Sequence, residues 1–138
     1  CVDRAIYVQQ KGVFHMAWEL NADRPVYTQI LEIIRTRIIS GIYAPGSRLP
    51  SVRELAAEAS VNPNTMQRAF VELEKSGLVT TQRGSGRTVT EDITMIEQVQ
   101  KEIAVLQIKG FFEKMNELGY DNAHILKLIT ETIEGGIQ

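Results

Sequence analysis

A group of hydrogen-bonding side chains without a single carboxylate lies near the middle of the chain. Its members, Asn64, Thr65, Gln67 and Arg68, share one face of a predicted helix. Asn and Gln amides pair bidentately with adenine in the major groove, as arginine does with guanine. Asn64 and Gln67 are equally suited to a base, a phosphate or water, whereas Arg68 lies at the flank, where the DNA backbone is the expected contact. The predicted chemistry is recognition of duplex DNA.

Two further basic features lie outside this segment. Arg53 suits a phosphate, which would position the protein, or a guanine, which would specify sequence, and the sequence does not separate these roles. The tip Arg83-Gly84-Ser85-Gly86 joins two β-rich runs and suits the minor groove, with Arg83 or Arg87 beside it. The tip lacks the lysine and the following helix of a nucleotide-binding loop. Arg53 and the tip therefore both suit DNA, and the tip does not suit a nucleotide.

Two short helices with a tight turn position these side chains. Ser51 and Glu54 have the spacing of a capping box, which begins a helix whose apolar positions continue to Ala59. After a turn at residues 60–61, Asn62 and Pro63 have the types of an N-cap and a first helical residue. The pattern predicts a helix-turn-helix, in which Asn62 is more a cap than a DNA contact.

Flanking segments complete a larger domain. An apolar face at helical spacing predicts a helix from Asp23 or Pro25 to about Ile39. Residues 78–82 and 87–90 predict a β-hairpin around the basic tip. We therefore expect a mostly α fold with a small β wing: a winged helix-turn-helix DNA-binding domain over residues 21–90.

Residues 91–138 change to helical spacing and predict a short two-helix tail. The first helix is expected from about Asp92 to Leu118, with an interruption of its apolar seam at Gly110, and the second begins at Asp121. Both are too apolar to stand exposed, and pairing with a second copy would bury them. The predicted dimer interface comprises Ile96, Val99, Ile103, Leu106, Phe111, Phe112, Met115, Ile125, Leu128 and Ile129.

Charge and composition agree with this division. Residues 21–90 contain nine Lys/Arg against six Asp/Glu, a net of +3, whereas residues 91–138 contain four against nine, a net of −5. No apolar run is long enough to span a membrane, the single Cys1 suits a reducing cytoplasm, and His15 and His124 are too far apart for a metal site. We expect a cytoplasmic protein with no metal and no cofactor, although a small-molecule effector near Phe111, Phe112 and Tyr120 stays open.

Residues 1–20 are interpreted as an N-terminal extension. A more purposeful sequence begins after Met16, so the first 15 residues need not be native to the chain. The alternative is a short strand over residues 5–9.

With these elements in place, the sequence resembles the GntR family of bacterial transcription regulators. The matching strings are Pro25-Val26-Tyr27, Ser40-Gly41, Pro45-Gly46, Leu49-Pro50-Ser51-Val52-Arg53-Glu54-Leu55-Ala56, Val61-Asn62-Pro63-Asn64-Thr65, Gly77-Leu78-Val79 and Gly84-Ser85-Gly86. The short tail resembles that of the YtrA-type branch. This resemblance implies a homodimer held by the tail and repression of nearby operons, often ones for transporters.

The resemblance also implies which residues contact DNA. They are Arg53, Asn62, Asn64, Thr65, Gln67, Arg68, Arg83, Gly84 and Gly86. Ser51 is added to this set of predicted DNA contacts. Some relatives carry arginines where this chain has Pro63 and Gln67, so base reading here relies more on amides. An inverted-repeat operator is expected, but no operator sequence is transferred.

Three functions compete. The first is a homodimeric DNA-binding repressor. The second is a winged helix used as a protein-interaction module, which would show aromatic or aliphatic anchors where this chain shows Asn, Thr, Gln and Arg. The third is an enzyme, such as a piece of a regulator fused to an aminotransferase, which needs a cofactor lysine site that the sequence lacks. We expect no enzymatic activity.

Overall fold

The computed structural model describes residues 18–84 and 86–136. In this part of the chain, the helices are α1 (Val26–Ile39), α2 (Val52–Ala59), α3 (Pro63–Ser76), α4 (Ile93–Glu117) and α5 (Asn122–Gly135), and the strands are β1 (Val79–Gln82) and β2 (Gly86–Val89). The predicted fold class is confirmed: a mostly helical chain with a two-stranded wing. The strand considered for residues 5–9 lies outside the described residues.

Helix α3 is the centre of the winged domain, since α1, α2 and β1 all pack against it. Its stripe of Met66, Ala69, Phe70 and Leu73 is buried. Ile30, Ile34 and Ile38 from α1 and Leu55 from α2 are also buried in this core. The predicted apolar faces therefore meet in one interior, and burial of each large side chain stabilises the fold by roughly 1.5–3 kcal/mol.

The wing is an antiparallel hairpin with a third, very short edge. Val79 pairs with Val89 and Gln82 pairs with Gly86. Residues 47–49, here called the edge segment, add to β2: the Leu49 N–H donates to the Arg87 carbonyl at 2.9 Å, and the Val89 N–H donates to the Ser47 carbonyl at 2.9 Å. The segment before α2 is thereby fixed to the wing.

A buried arginine ties α1 to α2. The Arg37 side chain donates to the Tyr43 hydroxyl at 2.8 Å, reaches the Glu58 carboxylate at 3.5 Å, and lies 4.3 Å from the centre of the Trp18 ring. The Trp18 indole N–H also donates to Glu58, at 2.9 Å. Arg37 is only 4% exposed. This cluster fixes the orientation of α2, which presents Arg53.

Helix α4 begins on the winged domain. The Asp92 carboxylate accepts from the Met95 N–H at 3.0 Å, and the Met95 methyl lies 3.0 Å from where a Cβ would stand on Gly77. Gly77 has φ +88°, so any side chain there would be strained as well as crowded. Ile96 is buried. The chain divides into compact units between Gln98 and Val99, within α4.

The second unit holds the rest of α4 and α5. Helix α4 continues through Gly110 and ends before Gly119, which has φ +100°. The Asp121 carboxylate then caps α5, accepting from the His124 N–H at 2.8 Å. This hydrogen bond, with a second one to the His124 ring, holds the pKa of Asp121 below its usual value. The predicted starts of both tail helices are confirmed.

Candidate nucleic-acid interface

The N-terminus of α3 is locked by its own residues. The Asn62 side-chain oxygen accepts from the Asn64 N–H at 2.7 Å, and Pro63 is the first helical residue. The capping role predicted for Asn62 is present. Because that oxygen is engaged by the helix, Asn62 has less freedom to contact DNA than Asn64 has.

The polar face of α3 is open to solvent. Asn64, Gln67 and Arg68 are exposed and Thr65 is half-buried, on the side opposite the buried stripe. The Arg68 guanidinium stacks over the Tyr27 ring, 3.7 Å from its centre. Such a stack restrains the side chain while leaving its charge in place. The structure thus brings the four predicted α3 residues onto one accessible surface.

Helix α2 presents Arg53 beside this surface. The Ser51 hydroxyl accepts from the Glu54 N–H at 3.1 Å and caps the helix. The reciprocal half of the predicted capping box, from the Ser51 N–H to the Glu54 carboxylate, is not formed in the described chain, since Glu54 is exposed and lines a groove instead. Arg53 is also exposed. Ser51 therefore orients the helix that carries Arg53.

The wing contributes two different arginines. Arg83 and Gly84 belong to the tip and are exposed, whereas Arg87 is half-buried and pairs through its Nε with the Glu74 carboxylate on α3. The Arg87 guanidinium also lies 5.2 Å from the centre of the Phe70 ring. Of the two arginines proposed beside the minor groove, Arg83 is available, and Arg87 holds the wing against α3.

Residues of α2, α3 and the wing line one groove, which has a volume of about 660 Å³. The edge segment contributes Arg48 to its lining, α2 contributes Arg53, α3 contributes Gln67 and the wing contributes Gly86. Arg48 was not among the residues that the sequence predicted to contact DNA. The available signal was the alternation of the polar Ser47 and Arg48 with the apolar Leu49, which is compatible with a short strand whose Leu49 faces inward.

Some other charges of the winged domain are neutralised in pairs. Arg24 binds the Glu32 carboxylate with two hydrogen bonds of 2.9 and 3.0 Å. This contact with Arg24 holds the pKa of the Glu32 carboxyl below its usual value. Lys75 pairs with Glu72 at 3.3 Å. In the described residues, Arg48 and Arg53 form no such pair, so their charge is available to an anionic partner.

The tail presents a second surface, which is apolar. Leu106 is 66% exposed, Leu126 is 63% exposed and Ile133 is 74% exposed. Among the predicted interface residues, Phe111 is also exposed, whereas Val99, Ile103, Phe112, Met115, Leu128 and Ile129 are half-buried. Ile96 and Ile125 are buried within the single chain. Those two pack internally, and the others leave apolar area accessible.

Two other kinds of site are absent from the described part of the chain. No group of three or more His, Cys, Asp or Glu side chains there is arranged to hold a metal ion. None of the helices described combines the length and the apolar character that crossing a bilayer requires.

Known proteins resemble this chain in sequence. The sequence profile described as "Bacterial regulatory proteins, gntR family" matches residues 26–89. The uncharacterized HTH-type transcriptional regulator YhcF of Bacillus subtilis is 36% identical over 118 residues, covering 86% of this chain and 98% of that protein. The HTH-type transcriptional repressor YtrA of the same species is 38% identical over 112 residues, covering 70% of this chain and 86% of that protein.

Solved structures agree with these relatives. A GntR family transcriptional regulator from Listeria monocytogenes superposes with a TM-score of 0.76 at 39% identity, covering 81% of this chain and 98% of that one. YtrA from Sulfolobus acidocaldarius, a GntR-family transcription factor, gives a TM-score of 0.52 at 27% identity, covering 70% and 96%. The predicted family resemblance and its YtrA-type branch are confirmed, and these relatives are regulators rather than enzymes.

Proposed function

The chain belongs to the gntR family of bacterial regulatory proteins and is a transcriptional regulator with a DNA-binding domain, and from this premise we propose that it acts as a homodimeric, sequence-specific repressor. Its operator would be an inverted repeat. Residues 21–90 would read the DNA, and residues 91–138 would hold the dimer together.

One observation carries the proposal: in the described chain, the exposed amides of α3 and the arginines that form no ion pair there open onto one surface. Gln67 from α3 and Arg53 from α2 line the same groove. Asn64 lies on the exposed face of α3, one turn before Gln67. Unpaired arginines supply attraction to phosphates, and amides supply discrimination between bases. This combination supports a protein that reads sequence rather than one that only adheres to DNA.

The exposed apolar residues of the tail support dimerisation. Leu106, Leu126 and Ile133 would cost free energy if they stayed in contact with water, and a second copy would cover them symmetrically. Two winged domains held in this way would place their α3 helices in successive major grooves, roughly 10 base pairs apart or slightly more. An inverted-repeat operator follows from this twofold symmetry.

The sign of regulation rests on a relative. The Bacillus subtilis protein YtrA, which is 38% identical, is described as a repressor. Repression also needs no machinery beyond occupation of an operator. We therefore propose repression. Expression of a reporter gene that increases when the gene for this regulator is deleted would support it.

The direct test replaces Arg53 with alanine and compares the variant with Lys75→Ala. Both changes remove one positive charge, but Lys75 lies near the far end of α3, about 16 Å from Asn64 along the helix axis. Fluorescence anisotropy would measure affinity for duplex DNA. We expect Arg53→Ala to bind at least about tenfold more weakly because a charged hydrogen bond is lost, and Lys75→Ala to bind nearly as the parent does.

Circular dichroism would establish that both variants keep the helical content of the parent. Equal affinities of the two variants would contradict the assignment of Arg53. If the folded parent chain binds no duplex at low salt, the proposed function fails, and the protein-interaction module becomes the better hypothesis.

A further inference from the structure

Arg48 has a fixed backbone at the edge of the wing. It forms an isolated antiparallel bridge with Thr88, and the flanking residues Ser47 and Leu49 each make a 2.9 Å backbone hydrogen bond to β2. Leu49 is 5% exposed and anchors the segment in the core. Arg48, its neighbour in an extended segment, is consequently held toward solvent.

The Arg48 guanidinium lies against the backbone of the wing. Its Nε and one terminal nitrogen are each 3.6 Å from where a Cβ would stand on Gly86. This separation is an ordinary van der Waals distance, so the guanidinium lies directly beside the wing at Gly86. Arg48 and Gly86 both line the groove, so the cation lies next to a residue predicted to approach DNA.

No carboxylate of the described chain pairs with this cation, whereas Arg87 of β2 pairs with Glu74 of α3. Arg48 and Arg53 both line the groove, and among the described residues Glu54, an acidic residue of the same lining, forms no ion pair with either of them. Two guanidinium groups along one groove attract an anion with several oxygens, because guanidinium matches phosphate geometry bidentately.

We propose that Arg48 binds a backbone phosphate of the operator, so that the edge segment and the wing form a phosphate clamp opposite Arg53. The clamp fixes the distance between the wing and α3 on the duplex and carries no base specificity itself. This inference rests on the proposed function, since it assigns a partner to a residue of the same surface.

The test measures DNA affinity against salt concentration for the full chain and for Arg48→Ala, Arg48→Lys and Lys75→Ala. Each neutralised phosphate contributes about 0.9 to the slope of log affinity against log salt. We expect Arg48→Ala to lower that slope by about 0.9 and to weaken specific and random duplexes by the same factor, about tenfold. Arg48→Lys keeps the charge and should retain most of the slope, and Lys75→Ala should match the parent.

Three outcomes would overturn the clamp while leaving the proposed function intact. They are an unchanged slope and affinity for Arg48→Ala, an equal loss for Lys75→Ala, and a loss confined to the specific duplex, which would indicate a base contact. A parent chain that is folded and binds no duplex would overturn both the clamp and the proposed function. Thermal melting of each variant checks that the exposed change leaves the fold intact.

Discussion

At the scale of single residues, the cap of α3 determines which of its polar side chains are available to contact DNA. The Asn62 side-chain oxygen is engaged by the Asn64 N–H at 2.7 Å, so Asn62 serves the helix first. Arg68 is stacked on Tyr27 at the edge of the polar face. Asn64 and Gln67 remain as the exposed amides best suited to base edges.

We expect Gln67→Ala to relax base preference at one position of each half-site. A bidentate amide–adenine pair discriminates between bases by about 1–3 kcal/mol. The ratio of affinities for the preferred base and the other bases at that position should therefore fall roughly five- to 150-fold. Selection of bound sequences by the variant and the parent would measure this. A uniform loss of affinity without a change in sequence preference would instead assign Gln67 to the backbone.

At the scale of elements, the helix-turn-helix depends on two side-chain caps. Ser51 caps α2 and Asn62 caps α3. The side-chain oxygen of each residue accepts a hydrogen bond from a backbone N–H of its own helix. Capping fixes where each helix starts, and hence where Arg53 and Asn64 point. The wing is positioned differently, by the tie between Arg87 and Glu74 and by the bridge from Arg48 to Thr88.

We expect Ser51→Ala to reduce the free energy of unfolding by about 0.5–2 kcal/mol, because one orphan N–H of α2 loses its acceptor. Ser51→Asn supplies another good N-cap and serves as the control, with a much smaller loss. Urea denaturation followed by circular dichroism would compare the three proteins. Equal losses for alanine and asparagine would show that the hydroxyl matters for something other than capping.

The elements differ in how far the sequence reveals them. Caps, turns and apolar stripes are local patterns, and for that reason α1 to α3, the hairpin and the starts of the tail helices were predicted correctly. The roles of Arg37, Arg48 and Arg87 depend on partners 6 to 40 residues away, such as Tyr43, Thr88 and Glu74. A single sequence gives no distance between such residues. The proposed phosphate clamp at Arg48 and the ion pair between Arg87 and Glu74 could therefore be identified only from the structure.

At the scale of the whole molecule, the chain joins a basic DNA-binding domain to an acidic tail. The net charge of +3 over residues 21–90 and of −5 over residues 91–138 keeps attraction to DNA on one part. The first turn of α4 belongs to the first compact unit, where Ile96 is buried. The apolar surface of the second unit is available for a second copy.

We expect Leu106→Asp to convert the dimer to a monomer, because a carboxylate would be buried without a partner at the paired surface. Ala104→Asp places the same charge on an exposed part of the same helix, away from the predicted seam, and should stay dimeric. Sedimentation equilibrium would give the mass of each. A dimeric Leu106→Asp protein would refute this interface, and operator affinity should fall only with the loss of the dimer.

The most direct test of the account is selection of bound sequences from random duplex DNA by the purified chain, with its mass measured in the same buffer. We predict an enriched inverted repeat with half-sites roughly 10 base pairs apart or slightly more, bound by two copies. A folded protein that enriches no sequence, or a single half-site bound by a monomer, would contradict the central claim.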